Sequence, residues 1–473
     1  MIRTDILWPQ LTLTAWVALL LFAWPMTDVA ADSPASIALR DGGVVVGSPV
    51  GRTALHDAVS AGDRELVARL IHSGEDVSAV TLYGMTPVQI AVASGRVNLL
   101  NDLLDAGADC DRRAAGGETL LMLAARSGDL AVVESLLSAG ADPQTTGPAK
   151  QTPLMWAAER GHGRVVRRIV KTGVPIDARS QSGMTALMFA ARQGRSDAVE
   201  TLIALGADVD SVSTTKNRGG RKIRGGTSAL LLAVQSGHFE VAMTLVDAGA
   251  DPTDMRSGVS PLHAMAAVRK ANRGDDVTGD PTPRGSGNLT SLEFAKALVA
   301  AGADVNAALQ IDGQPHGALG NRGSTPFLFA CRTADLPLMQ TLVSLGADPG
   351  IANHDGTTPL MAAAGVGVRA VDEEAGTEAE VVAAVEYLLD LGADVNAVDQ
   401  RSETAMHGAA YRCFPEVVHT LSLAGADPQV WDRKNWKGWT PTRIAMGYRF
   451  GSFKPHPPTI AALDEAKQSA SHP

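Results

Sequence analysis

The tripeptide Gly-Ala-Asp recurs eight times along this chain, at 107–109, 140–142, 206–208, 249–251, 302–304, 346–348, 392–394 and 425–427. A second pattern, opening on Thr or Ser, precedes these copies. It reads TALHDAVSAG from Thr53, TPVQIAVASG from Thr86, TLLMLAARSG from Thr119, TPLMWAAERG from Thr152 and TALMFAARQG from Thr185. These five starts lie 33 residues apart. Further copies open at Ser228, Ser260, Thr325, Thr358, Thr404 and Thr440. A period of this length means an array of stacked units, because one such unit cannot bury its own apolar face. Composition agrees: aromatics are 4% of the chain. Its layers must therefore be thin and rich in Ala and Leu rather than built on bulky rings.

Residues 119–151 give the physics of one unit. Thr119 is placed to cap a short helix carrying Leu121, Ala124 and Ala125 on one face, and Gly128 ends it by accepting the left-handed conformation. A second helix presents Val132, Val133, Leu136 and Leu137 and stops at Gly140. The Pro-, Thr- and Gly-rich remainder forms an extended finger reaching the next Thr. Helices of about two turns do not persist alone in water, so stability must come from unit stacking on unit.

The motifs TALHDA, SPLHAM and TAMHGA, on the 33-residue helix–turn–helix–finger period, resemble the ankyrin repeat. The resemblance runs from residue 53 to about 470. It implies an all-α ankyrin solenoid of about ten repeats plus a C-terminal cap, with protein binding through the fingers and the first-helix surface. Other copies replace the motif histidine, with Met155, Met188 and Met361 for example. His56, His263 and His407 are read as structural groups bonding at the helix–loop junction, since they stand in separate repeats and cannot share a metal.

The expected organisation is a signal peptide at 1–31, a linker at 32–52, repeats 1–5 at 53–227, repeats 6–10 with loop insertions at 228–439, and a capping repeat and tail at 440–473. Gly-, Pro- and acid-rich insertions at 271–288, 307–323 and 368–380 are surface loops that leave the stacked core undisturbed. In the cap, Pro458 suits the first turn of a last helix, and Asp464, Glu465 and Lys467 supply a polar outer face.

The N-terminus carries LTLTAWVALLLFAW, an apolar run too short for a membrane span, followed by Val29 and Ala31 at the −3 and −1 positions of a small-residue cleavage site. The expectation is export, periplasmic or secreted, with an uncleaved N-terminal anchor as the alternative. No later segment is long and apolar enough to span a bilayer. Removing residues 1–31 leaves 40 Lys and Arg against 49 Asp and Glu, a net charge of −9. Cys110, Cys331 and Cys413 are an odd set. Two repeats separate Cys331 from Cys413, too far for a disulfide, and three isolated thiols are expected.

No HExxH, GxSxG, CxxC or GxxxxGK[ST] pattern occurs, so no catalytic residue, cofactor or metal site is assigned. GDDVTGD at 274–280 lacks the ordered spacing and distal Glu of a calcium loop. The alternative of an enzyme rests on the repeat 7 insertions alone. Charge is uneven: residues 150–226 hold 14 Lys and Arg against 6 Asp and Glu. Lys216, Arg218, Arg221, Lys222 and Arg224 crowd one finger, and Arg164 and Arg167 lie on the second helix of repeat 4. This band is either solubilising decoration or a surface for an acidic protein or anionic envelope. Nucleic acid is not expected, because no aromatic residues interleave the basic run. WDRKNWKGW at 431–439 holds three of the tryptophans outside the leader. Trp439 is expected to pack against the cap, while Trp431 and Trp436 are either interface anchors or cap packing. The expected function is a non-catalytic scaffold, monomeric, for a protein partner with an acidic surface. The alternative is a structural envelope protein held by charge.

Overall fold

The Thr and Ser starts act as helix caps. Thr119 Oγ1 accepts the Met122 N–H at 3.2 Å and Thr325 Oγ1 that of Leu328 at 3.2 Å. Thr86 goes further. Its N–H donates to Gln89 Oε1 while its hydroxyl accepts from Gln89 N, a reciprocal box satisfying two donors that the helix cannot. The computed structural model describes residues 51–214, 225–270, 282–310, 322–368, 375–448 and 454–471.

Among them the capped segments form ten helix pairs: α1 and α2 (Ala54–Ala61, Arg64–His72), α3 and α4 (Pro87–Ala93, Val97–Asp105), α5 and α6 (Leu120–Ser127, Leu130–Ser138), α7 and α8 (Pro153–Arg160, Gly163–Val170), α9 and α10 (Ala186–Arg192, Ser196–Ala204), α11 and α12 (Ala229–Gln235, Phe239–Asp247), α13 and α14 (Pro261–Arg269, Ser291–Ala300), α15 and α16 (Pro326–Arg332, Leu336–Ser344), α17 and α18 (Pro359–Ala364, Glu378–Asp390), and α19 and α20 (Ala405–Arg412, Pro415–Leu423). Three more follow: α21 (Pro428–Trp431), α22 (Pro441–Ala445) and α23 (Pro457–Ser471). No strand occurs among the described residues. Among the described residues the fingers contribute two isolated bridges, Arg113–Thr119 and Val212–Ser228.

Two layers result. Each odd helix packs on the next odd helix from α1 to α19, and each even helix on the next even one from α2 to α20. Small residues let the odd helices approach: Ala124, Ala125, Ala157, Ala158, Ala190 and Ala191 are all fully buried. Helix α23 closes the even layer by packing on α20 and α22, with Ala462 and Leu463 inward and Asp464 and Glu465 in solvent. This is the fold of an all-α ankyrin solenoid.

A third layer, the fingers, lies against the odd helices. His56, His263 and His407 join the two: each Nε2 bonds a finger carbonyl, Met85 O at 3.0 Å, Ser324 O at 3.0 Å and Arg433 O at 3.2 Å. Their Nδ1 atoms lie 3.0, 2.6 and 3.0 Å from the hydroxyls of the capping residues Thr53, Ser260 and Thr404. Burial holds His263 and His407 down to about 4. Finger tips then bond tip to tip. His354 N donates to Arg322 O, Gln400 N to Asp355 O and Trp436 N to Arg401 O. Gly226 shows why glycine is needed here: it adopts φ +82° and a Cβ would collide with the Arg256 carbonyl of the adjoining finger.

On the other edge, carboxamide and carboxylate groups stitch unit to unit, Asp427 N donating to Asn396 Oδ1 at 2.7 Å and Asp348 N to Asn306 Oδ1 at 2.9 Å. The seventh and eighth units carry a second junction besides this one. Arg269 grips Asp335 through Nε and Nη2 at 2.6 and 2.9 Å. Cys110, Cys331 and Cys413 are all free thiols.

Candidate functional site

The fourth residue after the capping Thr or Ser is apolar in the second to sixth units and takes the same place on each odd helix. At 33-residue steps these are Ile90, Leu123, Trp156 and Phe189, with Leu232 at the same place in the next unit. Ile90, Leu123 and Trp156 are partly exposed, while Phe189 and Leu232 are each 4% exposed. Stacking of the odd helices sets these side chains in one apolar strip, partly open at Ile90, Leu123 and Trp156 and closed over Phe189 and Leu232. Three residues further on stand Arg126, Glu159 and Arg192. The Arg126 guanidinium lies 5.1 Å from the Trp156 ring centre and that of Arg192 lies 5.4 Å from Phe189. Arg192 also pairs with Glu159 at 3.4 Å. Cations over aromatic faces hold both groups in one orientation and combine the residue types richest in interface hot spots. The indole Nε1 of Trp156 is shielded from water and has no acceptor among the described residues. Sequence reasoning pointed to the first-helix surface without naming this strip, because within one unit nothing distinguishes its members from their apolar neighbours. The signal that finds it is the constant four-residue offset from the cap.

The described part of the basic band is shared between two layers, with Arg160 and Arg192 on odd helices and Arg164, Arg167 and Arg168 on α8. Arg164 and Arg167 are exposed on α8, in the even layer, with Arg168 half-buried beside them and Lys171 exposed at the helix end, and none of the four has an ion-pair partner among the described residues. The fingers pack on the opposite, odd layer. Lys216, Arg218, Arg221, Lys222 and Arg224 lie outside the described residues. The base of their finger is fixed by Ser213 N donating to Thr227 O at 2.9 Å and Gly226 N to Ser213 O at 2.8 Å. Charge summed along the sequence merged these faces, because one unit contributes to both.

The tryptophans of the tenth finger also separate. Trp431 is 1% exposed, its Nε1 donates to Ala426 O at 3.3 Å, and the Lys467 ammonium of α23 sits 5.6 Å from its ring. It is part of the cap seam, which removes it as a contact residue: α21 turns its ring inward beneath the last helix. Trp439 is partly buried against the core. Trp436 is 53% exposed, with Lys437 at 4.2 Å and Arg401 at 5.9 Å from its ring.

A buried network holds Trp436 out. Asn435 Oδ1 accepts the N–H groups of Lys437 and Trp439 at 3.0 and 3.1 Å, and its Nδ2 donates to Glu403 Oε1 and Tyr411 Oη at 2.8 and 2.9 Å. Glu403 is 3% exposed and burial raises its carboxyl above the ordinary range, as burial also does for neighbouring Asp399.

The seventh unit offers an open cavity of about 380 Å³ between Gly237, Phe239, Arg269, Ser286 and Ser291. Arg269, its one charged wall residue, is already committed to Asp335 and Ser291. Part of the insertion, 271–281, lies outside the described residues, and with it GDDVTGD. The described residues hold no group of His, Cys, Asp and Glu able to bind a metal. No described helix is long and apolar enough to cross a membrane.

A family model described as ankyrin repeats (3 copies) matches residues 35–114, 117–213 and 327–432, and one described as ankyrin repeat matches 225–256. Among solved structures, the human ASB11 ankyrin repeat domain is 25% identical over 54% of this chain and 99% of its own, with a TM-score of 0.42. No curated protein matches the chain.

Proposed function

The chain belongs to the ankyrin repeat family, whose members generally act through protein–protein contact, and from that premise we propose that it is a non-catalytic scaffold binding a protein partner outside the cytoplasm. The observation that carries this reading is the strip Leu123, Trp156 and Phe189 with Arg126 and Arg192 set over its rings. A patch of this kind left partly open is costly unless something covers it. The leader-like stretch at 1–31 supports action after export. Exposed Trp436, between Lys437 and Arg401, extends the surface at the C-terminal end.

A second reading has one observation in its favour. The four cations Arg164, Arg167, Arg168 and Lys171 on α8, unpaired among the described residues, suit a structural protein held to an anionic envelope by charge.

Immobilised protein offered to envelope extract and culture fluid of the cells that make it separates the two. A scaffold retains one defined protein at both 50 mM and 500 mM salt and loses it when Trp156 and Trp436 are changed to serine. Envelope attachment by charge is lost steeply with salt and with Arg164 and Arg167 changed to serine. Recovery of no protein under any condition refutes the scaffold reading. Fractionation and N-terminal sequencing of the native protein test export.

A further inference from the structure

Resting on the protein-binding reading, the spacing and charge of the strip identify the kind of partner. The first helices α5, α7 and α9 carry Arg126, Arg160 and Arg192 against a single acid, Glu159, which is already paired with Arg192. Arg126 and Arg160 have no carboxylate partner among the described residues, and Trp156 Nε1 has no acceptor. The surface thus presents two uncommitted cations beside apolar side chains. What complements it is a segment with carboxylates beside an apolar ridge.

The period decides the segment's conformation. Packed helices stand about 8–10 Å apart, so Leu123, Trp156 and Phe189 repeat at that interval along the array. An extended chain returns to one face every second residue, at about 6.7 Å, and then at twice that, so neither step matches. A helix returns a side chain to one face every seven residues, about 10.5 Å on.

We propose that the strip seats an acidic amphipathic helix of the partner protein, running along the array, with apolar residues seven apart over Leu123 and Trp156. Its carboxylates meet Arg126 and Arg160.

The test is a selection of displayed random 18-residue peptides on the immobilised full chain, with each winner synthesised and its affinity measured by fluorescence anisotropy. The expected winners are acidic, with apolar residues at a seven-residue spacing, and turn helical on binding. Trp156→Ser and Arg126→Glu each weaken them at least ten-fold, with circular dichroism confirming that both variants keep the wild-type fold. Changing the winners' Glu to Gln should have a similar effect. Winners that are not acidic, or that bind both variants as well as wild type, overturn the inference while leaving protein binding by another face intact. A selection that enriches nothing also overturns it. In that case the capture experiment above decides separately whether the scaffold reading stands.

Discussion

Tyr411 Oη donates to Glu403 Oε1 at 2.7 Å in the interior of the tenth unit, where a carboxyl 3% exposed has no ion-pair partner among the described residues. Asn435 completes the set and carries the finger turn that presents Trp436. Burial is the largest cause of the raised Glu403 carboxyl, with Asp399 adding to it. Because the folded chain holds this proton more tightly than the unfolded one, the carboxyl stabilises the fold less as pH rises through its raised value. Glu403→Gln keeps an acceptor for Tyr411 and Asn435 and abolishes the charge. Its melting temperature should exceed that of wild type at pH 7 and converge with it in acid. Tyr411→Phe, which removes a donor, should instead cost about 1–3 kcal/mol in a urea titration.

Acid should act through the interior histidines. His263 and His407 sit at about 4 because burial disfavours the imidazolium. The unfolded chain takes up these protons from about pH 6.5, so stability is full above that and falls toward pH 4 by up to about 3 kcal/mol per histidine. His407→Gln should flatten part of that slope, since Gln89 shows that glutamine accepts from the capping N–H at 2.8 Å. Melting temperatures of the two proteins between pH 4 and 7 check this.

Arg269 and Asp335 join units across 66 residues of sequence, and Asp335 is 1% exposed. Arg269→Ala leaves that carboxylate buried without its countercharge and should cost about 3 kcal/mol. In an array the loss is local, so urea unfolding followed by circular dichroism should split into two transitions where wild type shows fewer.

Tryptophan substitutions should separate cap from surface. Trp431→Ala empties the seam beneath α23 and should destabilise by about 3–5 kcal/mol. Trp436→Ala should stay within about 0.5 kcal/mol of wild type. Equal effects on chemical denaturation would contradict the division drawn between these two residues.

Thiol labelling tests the interior. Cys331 is fully buried and Cys413 is 6% exposed, while Cys110 is partly open with its thiol raised by burial and by Asp111 and Asp109. A disulfide-exchange reagent at pH 8 should modify one thiol, slowly, in the native chain and three after denaturation.

The sequence alone determined the array. The 33-residue period, the Thr and Ser caps and the closing Gly residues are local signals, each readable within one unit, and the two helix layers follow from them. Which side chains remain outside was decided only by stacking. Nothing within one unit marks Trp156 or Leu123 as contact residues, and only the stacked layer leaves them partly open. Trp431 reads equally as interface anchor or cap packing in its charged finger, and α23, arriving from some thirty residues later, makes it cap by covering it. Arg164 is separated from the fingers by the thickness of the odd-helix layer, although Gly183 of a finger is only 19 residues away in sequence. A repeat fixes what each unit is, whereas exposure belongs to the interface between units, and neither face of that interface is written within one of them.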